Sequence, residues 1–167
     1  MSAKIRDRQH TVKLKTSPRR TAAGTALSVF VVQVMQLNGL LLAAGDALAA
    51  PAGQTSARWQ ILAAVEAAPR SVADIARLMN LARQSVQRIA DLLVEDGLAS
   101  YEDNPAHARA KHLCLSASGR HTLARIQDAQ RQWADELAAR LDLEHLSAAS
   151  GLLAQMKLLL QSGANET

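Results

Sequence analysis

Two short helical patterns follow each other between Ser71 and Leu93 with only Asn80-Leu81-Ala82 between them, and this spacing constrains the chain more than any other feature. Ser71 and Asp74 stand at capping-box spacing: the hydroxyl takes the backbone N–H three residues on, and the carboxylate reaches back to the N–H of Ser71. A helix is therefore predicted from about Val72. Its inward residues, Val72, Ile75, Ala76 and Met79, recur three and four apart. The connection is too short for the next helix to lie alongside the first, so the two must cross steeply.

The second helix has two faces. Val86, Ile89, Ala90 and Leu93 fall on one, while Arg83, Gln84, Gln87, Arg88 and Asp91 fall on the other. The apolar face needs a core and the polar face is free to leave it. Arginine suits guanine O6 and N7, and glutamine suits adenine N6 and N7. With Ser85, these donors crowd the first two turns, the part of a recognition helix that meets base edges in a major groove. A charged outer face alone is ordinarily a solvated face, and it is the segment downstream of this helix that turns the reading toward DNA. Gly97 stands where a helix C-terminus needs a left-handed residue, and Leu98 can fold back onto the helix. Residues 98–102 and 110–115 then read as two short strands around the turn-forming run Asp103 to Arg109, with Lys111 just beyond it. This is a β-hairpin wing, whose cations Arg109 and Lys111 would lie beside phosphates or in a minor groove.

With these pieces in order, residues 71–119 resemble the multiple-antibiotic-resistance regulator (MarR) family of winged helix-turn-helix transcription regulators. The recognition-helix pattern is matched by Ser85-Val86-Gln87-Arg88-Ile89-Ala90-Asp91-Leu92-Leu93, the helix exit by Glu95-Asp96-Gly97-Leu98, and the strand-to-helix junction by Leu115-Ser116-Ala117-Ser118-Gly119. Trp59-Gln60-Ile61-Leu62 matches the helix before the reading unit, and helical flanks over 21–68 and 117–161 extend the similarity to most of the chain. Two departures fall in the wing. Most relatives place an aspartate two residues before the wing arginine, where this chain has His107, and the residue between, often a second arginine, is Ala108. A neutral His107 could still orient Arg109 through a ring nitrogen but without an ion pair, which would make binding sensitive to pH.

Composition narrows the alternatives. Only four of the 167 residues are aromatic and the chain is rich in alanine and leucine, which favours interlocked helices. The single cysteine, Cys114, excludes an intrachain disulfide framework and a cysteine-based zinc site, and a reducing cytoplasm is the natural setting. Cys114 reads as a small strand residue. The family's redox sensors carry their thiol in the first long helix, and residues 21–50 contain none. Charge is uneven: residues 1–20 carry seven basic side chains against Asp7, a net of +6, so the rest holds −2 of the overall +4. This basic tail is expected to be disordered and able to add sequence-independent phosphate contacts. Over 70–112, six bases balance six acids, so DNA affinity must come from placement rather than net charge. The chain has no phosphate-cradling glycine loop, no His-Glu-x-x-His and no nucleophile beside a base, so an enzyme, a metal or a cofactor is not expected.

From Thr21 to Gly45 no residue is charged, and Ala47-Leu48-Ala49 has the look of a signal-peptidase site. Gln33, Gln36 and Asn38 interrupt the middle of that stretch, which would be costly in a bilayer. Leu27, Phe30, Val31, Val34, Leu37, Leu41 and Ala44 recur at helical spacing, so the segment reads as an amphipathic to fully buried helix of a protein that does not enter the membrane. Its partner is the C-terminal region, where Leu123, Ile126, Trp133, Leu137 and Leu141 stripe one helix and Leu146, Leu152, Leu153, Met156, Leu159 and Leu160 another.

The expected architecture is mainly α with a small β-hairpin wing. A tail (1–20) precedes an N-terminal dimerisation helix (21–50), a winged helix-turn-helix lobe (54–115), C-terminal dimerisation helices (116–161) and a tail (162–167). The resemblance implies a cytoplasmic homodimeric repressor that binds an inverted-repeat operator in double-stranded DNA through Arg83, Gln84, Ser85, Gln87, Arg88, Arg109 and Lys111. It also implies release by a small lipophilic or aromatic effector near Asn38, Arg58 and Trp59. The rival readings are a DNA binder that answers to no ligand, and a protein-interaction module whose wing has lost its DNA contacts.

Overall fold

The computed structural model describes residues 20–104 and 110–163. Six helices and three short strands occupy them: α1 (Ala22–Ala49), α2 (Ser56–Ala64), β1 (Arg70–Ser71), α3 (Val72–Met79), α4 (Arg83–Glu95), β2 (Ala99–Glu102), β3 (His112–Leu115), α5 (Ala117–Ala138) and α6 (Leu143–Gly163). A single 3-10 turn, Ala50–Ala52, links α1 to α2. The chain divides into two compact units, residues 1–39 and 40–167. The tail at 1–19 and the wing tip at 105–109, with His107 and Arg109, lie outside the described residues.

In the first unit α1 starts at Thr21, whose hydroxyl accepts from the Gly24 N–H at 3.0 Å. Leu27, Val29, Val32, Met35 and Leu37 are all exposed, so its apolar character runs round the helix rather than along one stripe. In the whole of α1 only Gly45 and Ala49 are buried, and the burial expected from its composition is not supplied within one chain. By length and composition alone, Ala22–Ala52 could cross a membrane, with a mean hydropathy of 1.8 over an 18-residue stretch within it.

In the second unit Ile61 and Leu62 from α2, Ile75 from α3, Val86 and Leu93 from α4, Leu113 from β3 and Leu123 from α5 lie fully inside one core. Five elements thus converge on one apolar centre, which fixes α4 at its middle. The predicted helix starts and faces are met at α3 and α4: Ser71 accepts from the Asp74 N–H, and Val86, Ile89, Ala90 and Leu93 are buried. The bend between them is made by Asn80 in the left-handed region (φ 52°), a conformation that asparagine tolerates better than most residues.

The sheet is antiparallel in the order β1-β3-β2. Strands β2 and β3 form the expected hairpin with Tyr101 opposite Leu113 and Glu102 opposite His112. Strand β1 was not expected. It is two residues long, pairs Ser71 with His112, and lets Ser71 end a strand and cap α3 at once. Helix α6 begins at Asp142, which accepts from the His145 N–H at 2.8 Å, and buries no residue.

The end of α4, the start of β2 and the start of α5 are tied at one junction. Gly97 adopts φ 69°, the Gly97 N–H donates to the Val94 carbonyl at 3.0 Å, and the Leu98 N–H donates to the Leu93 carbonyl at 2.9 Å. This is a Schellman closure. Ser116 Oγ donates to the Gly97 carbonyl at 2.7 Å and accepts from the Gly119 N–H at 2.9 Å, while the Ser116 N–H donates to the Leu98 carbonyl at 3.1 Å. Helix α5 comes so close here that a Cβ at position 119 would lie 1.9 Å from the Leu98 carbonyl oxygen. A backbone oxygen cannot swing aside as a side chain can. Gly119→Ala is therefore expected to destabilise the fold by roughly 3 kcal/mol, the upper part of the overpacking range, read as a lowered denaturation midpoint. An unchanged midpoint would show that α5 does not need this approach.

Candidate nucleic-acid interface

Helix α4 presents its candidate reading residues because its other side is sealed in the core. Arg83, Gln84, Ser85 and Arg88 are exposed and Gln87 is half-buried. The cap position of α4 is Ala82, which offers no side-chain oxygen to its first-turn N–H groups, whereas Ser71 and Ser116 occupy those of α3 and α5. The start of α4 is thus the helix N-terminus in this lobe whose positive end is left for solvent or an anion. Lys111, exposed at the foot of β3, borders the same hollow. This cavity, about 230 Å³, is lined among others by Ala73, Arg83, Gln87, Tyr101, Ala110 and Lys111. The predicted residues Arg83, Gln87 and Lys111 are therefore gathered about one concavity, with Arg88 one position beyond Gln87 on α4.

Gln87 differs from its neighbours in being tied down. Its amide nitrogen donates to Asp91 Oδ1 and to the Tyr101 hydroxyl, both at 2.8 Å, and that hydroxyl donates to Asp91 Oδ1 at 2.7 Å. Partial burial, then the Asp91 carboxylate, pushes the Tyr101 phenol up to about 12, so it stays protonated and donating at neutral pH. Sequence reasoning missed Tyr101. The i, i+4 spacing of Gln87 and Asp91 was visible, but the third partner comes from β2 and depends on sheet register.

The supports of the site are also polar. Ser71 Oγ donates to Asp74 Oδ2 at 2.6 Å and Arg77 pairs with the other carboxylate oxygen. The Ser71 hydroxyl, assisted by Arg77 and opposed by desolvation, holds the Asp74 carboxyl below its ordinary value of 3.8. At the far end of α4, Arg58 pairs with Asp96 and donates through Nε to Gln54 Oε1 at 2.8 Å. Arg58, expected at an effector site, thus clamps α2 to the C-terminus of α4. Trp59 is half-buried against the core, and Asn38 is exposed in the 1–39 unit. Burial, then Glu102, pushes the Cys114 thiol up, as suits a packed strand residue.

A sequence profile of the MarR family matches residues 52–110. The chain is also 36% identical over 132 residues to the uncharacterized protein Rv2011c of Mycobacterium tuberculosis, spanning 79% of this chain and 92% of that one. The chain belongs to the MarR family. Among solved MarR-like folds, the transcriptional repressor CouR bound to a 23-mer DNA duplex superposes with a TM-score of 0.68 at 24% identity, covering 84% of this chain and 99% of that chain. Staphylococcus aureus MarR in complex with salicylate and kanamycin gives 0.71 at 15% identity, covering 83% and 94%. At these identities the superpositions show that the MarR fold is shared: a winged helix-turn-helix lobe with helical flanks.

The capping box of this MarR lobe carries a pH dependence. Because the folded Asp74 carboxyl is held below its unfolded value, its stabilising contribution is complete above about pH 4 and is lost as pH falls through the lowered value. The stability gap between wild type and Asp74→Asn is expected to be open at about pH 6 and to close on acidification below about pH 4, while Ser71→Ala costs about 1 kcal/mol at neutral pH. Denaturation at several pH values checks both. A gap of constant size would show that the carboxylate is not held by the cap.

Proposed function

We propose that this chain is a cytoplasmic, homodimeric, sequence-specific DNA-binding regulator that acts as a repressor at an inverted-repeat operator. The observation that carries this reading is the division of α4: Val86, Ile89, Ala90 and Leu93 are sealed in the core while Arg83, Gln84, Ser85 and Arg88 stand in solvent. A helix so anchored can enter a major groove without unpacking, and the cations beside its uncapped start can meet the flanking phosphates. The DNA-bound structure of CouR supports the same use of the shared fold. Arg109 and Lys111 would hold the wing to the backbone, and the basic tail would add phosphate contacts.

Dimerisation is supported by what α1 and α6 leave uncovered. Met35 is 71% exposed and Leu160 72%, amid many other exposed leucines and valines on these two helices. Apolar surface on this scale calls for a partner, and a second copy supplies the two-fold symmetry that an inverted repeat requires. Residues 21–50 and 116–161 would form this dimer region.

Release by a small lipophilic or aromatic effector extends the proposal, and the salicylate complex of the S. aureus MarR lends it support. Asn38, Arg58 and Trp59 are its candidate contacts. A polar group arriving at Arg58 would compete with Asp96 for the guanidinium and so loosen the hold of α2 on the end of α4. To shift anything, such a ligand must bind the two dimer states unequally.

Selection of duplexes from a random DNA pool tests the core of the proposal. The expected winner is an inverted repeat with half-site centres about 10 base pairs apart. Arg88→Ala should then lose about 1–3 kcal/mol of discrimination at one symmetric position. A pool with no enriched sequence would refute the regulator and favour the protein-interaction reading, and an Arg88→Ala variant with unchanged base preferences would remove Arg88 from the reading role.

A further inference from the structure

The Gln87 amide carries two hydrogens, and its nitrogen has two acceptors inside the protein, Asp91 Oδ1 and the Tyr101 hydroxyl, one for each. Its orientation is fixed by chemistry. An ionised Asp91 can only accept, so the nitrogen end of the amide must face it, and Tyr101, which donates to Asp91, must accept from Gln87. The ring of three hydrogen bonds leaves Gln87 Oε1 as the end of the side chain with no such commitment. The expectation that Gln87 suits adenine through N6 and N7 is at odds with this geometry, because the N7 contact needs an amide hydrogen.

We propose that Tyr101 and Asp91 hold Gln87 as an acceptor-only reader, so that its place in each half-site is satisfied by an exocyclic amino group, adenine N6 or cytosine N4, without any contact to N7. Guanine and thymine offer no such donor in the major groove. The inference rests on α4 being the DNA-reading helix. Within that reading Tyr101 is a positioning residue: it sits on β2, half-buried, and acts on specificity through Gln87. The strand that forms the wing thereby also limits what the helix can read.

The test uses the intact protein and the duplex that selection yields. The Gln87 position is the one whose base preference disappears in Gln87→Ala. Wild-type protein is expected to accept adenine or cytosine there, and to bind within about twofold when that adenine is replaced by 7-deazaadenine, which keeps the N6 amino group and lacks the N7 acceptor. Tyr101→Phe keeps the ring and frees one amide hydrogen. It should turn the preference toward adenine and lose about fivefold or more in affinity on 7-deazaadenine. Asp91→Ala frees the other hydrogen and should act in the same direction.

Three results would overturn the inference: a fivefold or larger loss for the wild type on 7-deazaadenine, both variants remaining insensitive to it, or Gln87→Ala altering no position. The absence of any selected sequence is a different result, which refutes the DNA-reading function itself and this inference with it.

Discussion

The junction at Gly97, Leu98, Ser116 and Gly119 is the constraint on which the lobe depends. One left-handed glycine ends α4, one serine binds the carbonyls of the two residues beyond the α4 cap and itself caps α5, and one glycine lets α5 press against the Leu98 carbonyl. Because these groups are backbone or short side chains, the junction has little freedom to adjust. It ties the end of α4, the start of the hairpin and the start of the long helix leading away from the lobe. A displacement of α5 must therefore be felt at α4 and at the base of the hairpin, and this is the mechanical link through which the proposed dimer region would act on the proposed DNA surface.

Above that junction, α4 is held at its C-terminal end, beneath its middle and along its flank. Arg58 meets Asp96 at its C-terminus, Leu93 and Val86 fill the core under it, and Tyr101 reaches Gln87 and Asp91 from the hairpin. What remains uncommitted is the solvent side of the first two turns. The side chains there have different freedoms: Arg83 and Arg88 can search for partners, whereas Gln87 is already positioned. If Gln87 reads a base, as proposed, its pre-ordering lowers the entropy cost of binding and at the same time restricts which base edge will satisfy it.

Much of this was legible in the sequence because it is local. The Ser71 cap, the four buried positions of α4, and the Gly97 stop each depend on residues within one or two turns of each other, and each lies where expected. What escaped depends on register or on other parts of the chain. Strand β1 is too short to show an alternation, Tyr101 reaches α4 only because β2 lies where the hairpin puts it, and Arg58 finds Asp96 across 38 positions of sequence. The apolar runs of α1 and α6 predicted helices correctly, but a composition that demands burial does not say what provides it, and in the single chain those faces stay open.

If α4 reads sequence and does not merely attract phosphate, the intact protein must distinguish its selected duplex from a scrambled duplex of the same length at roughly physiological salt. The ratio of the two affinities is the quantity to measure. A preference of about a thousandfold or more for the selected duplex is expected. A ratio near one, with both affinities falling together as salt rises, would mean that the exposed face of α4 and the wing supply only charge, and would contradict sequence reading by this helix.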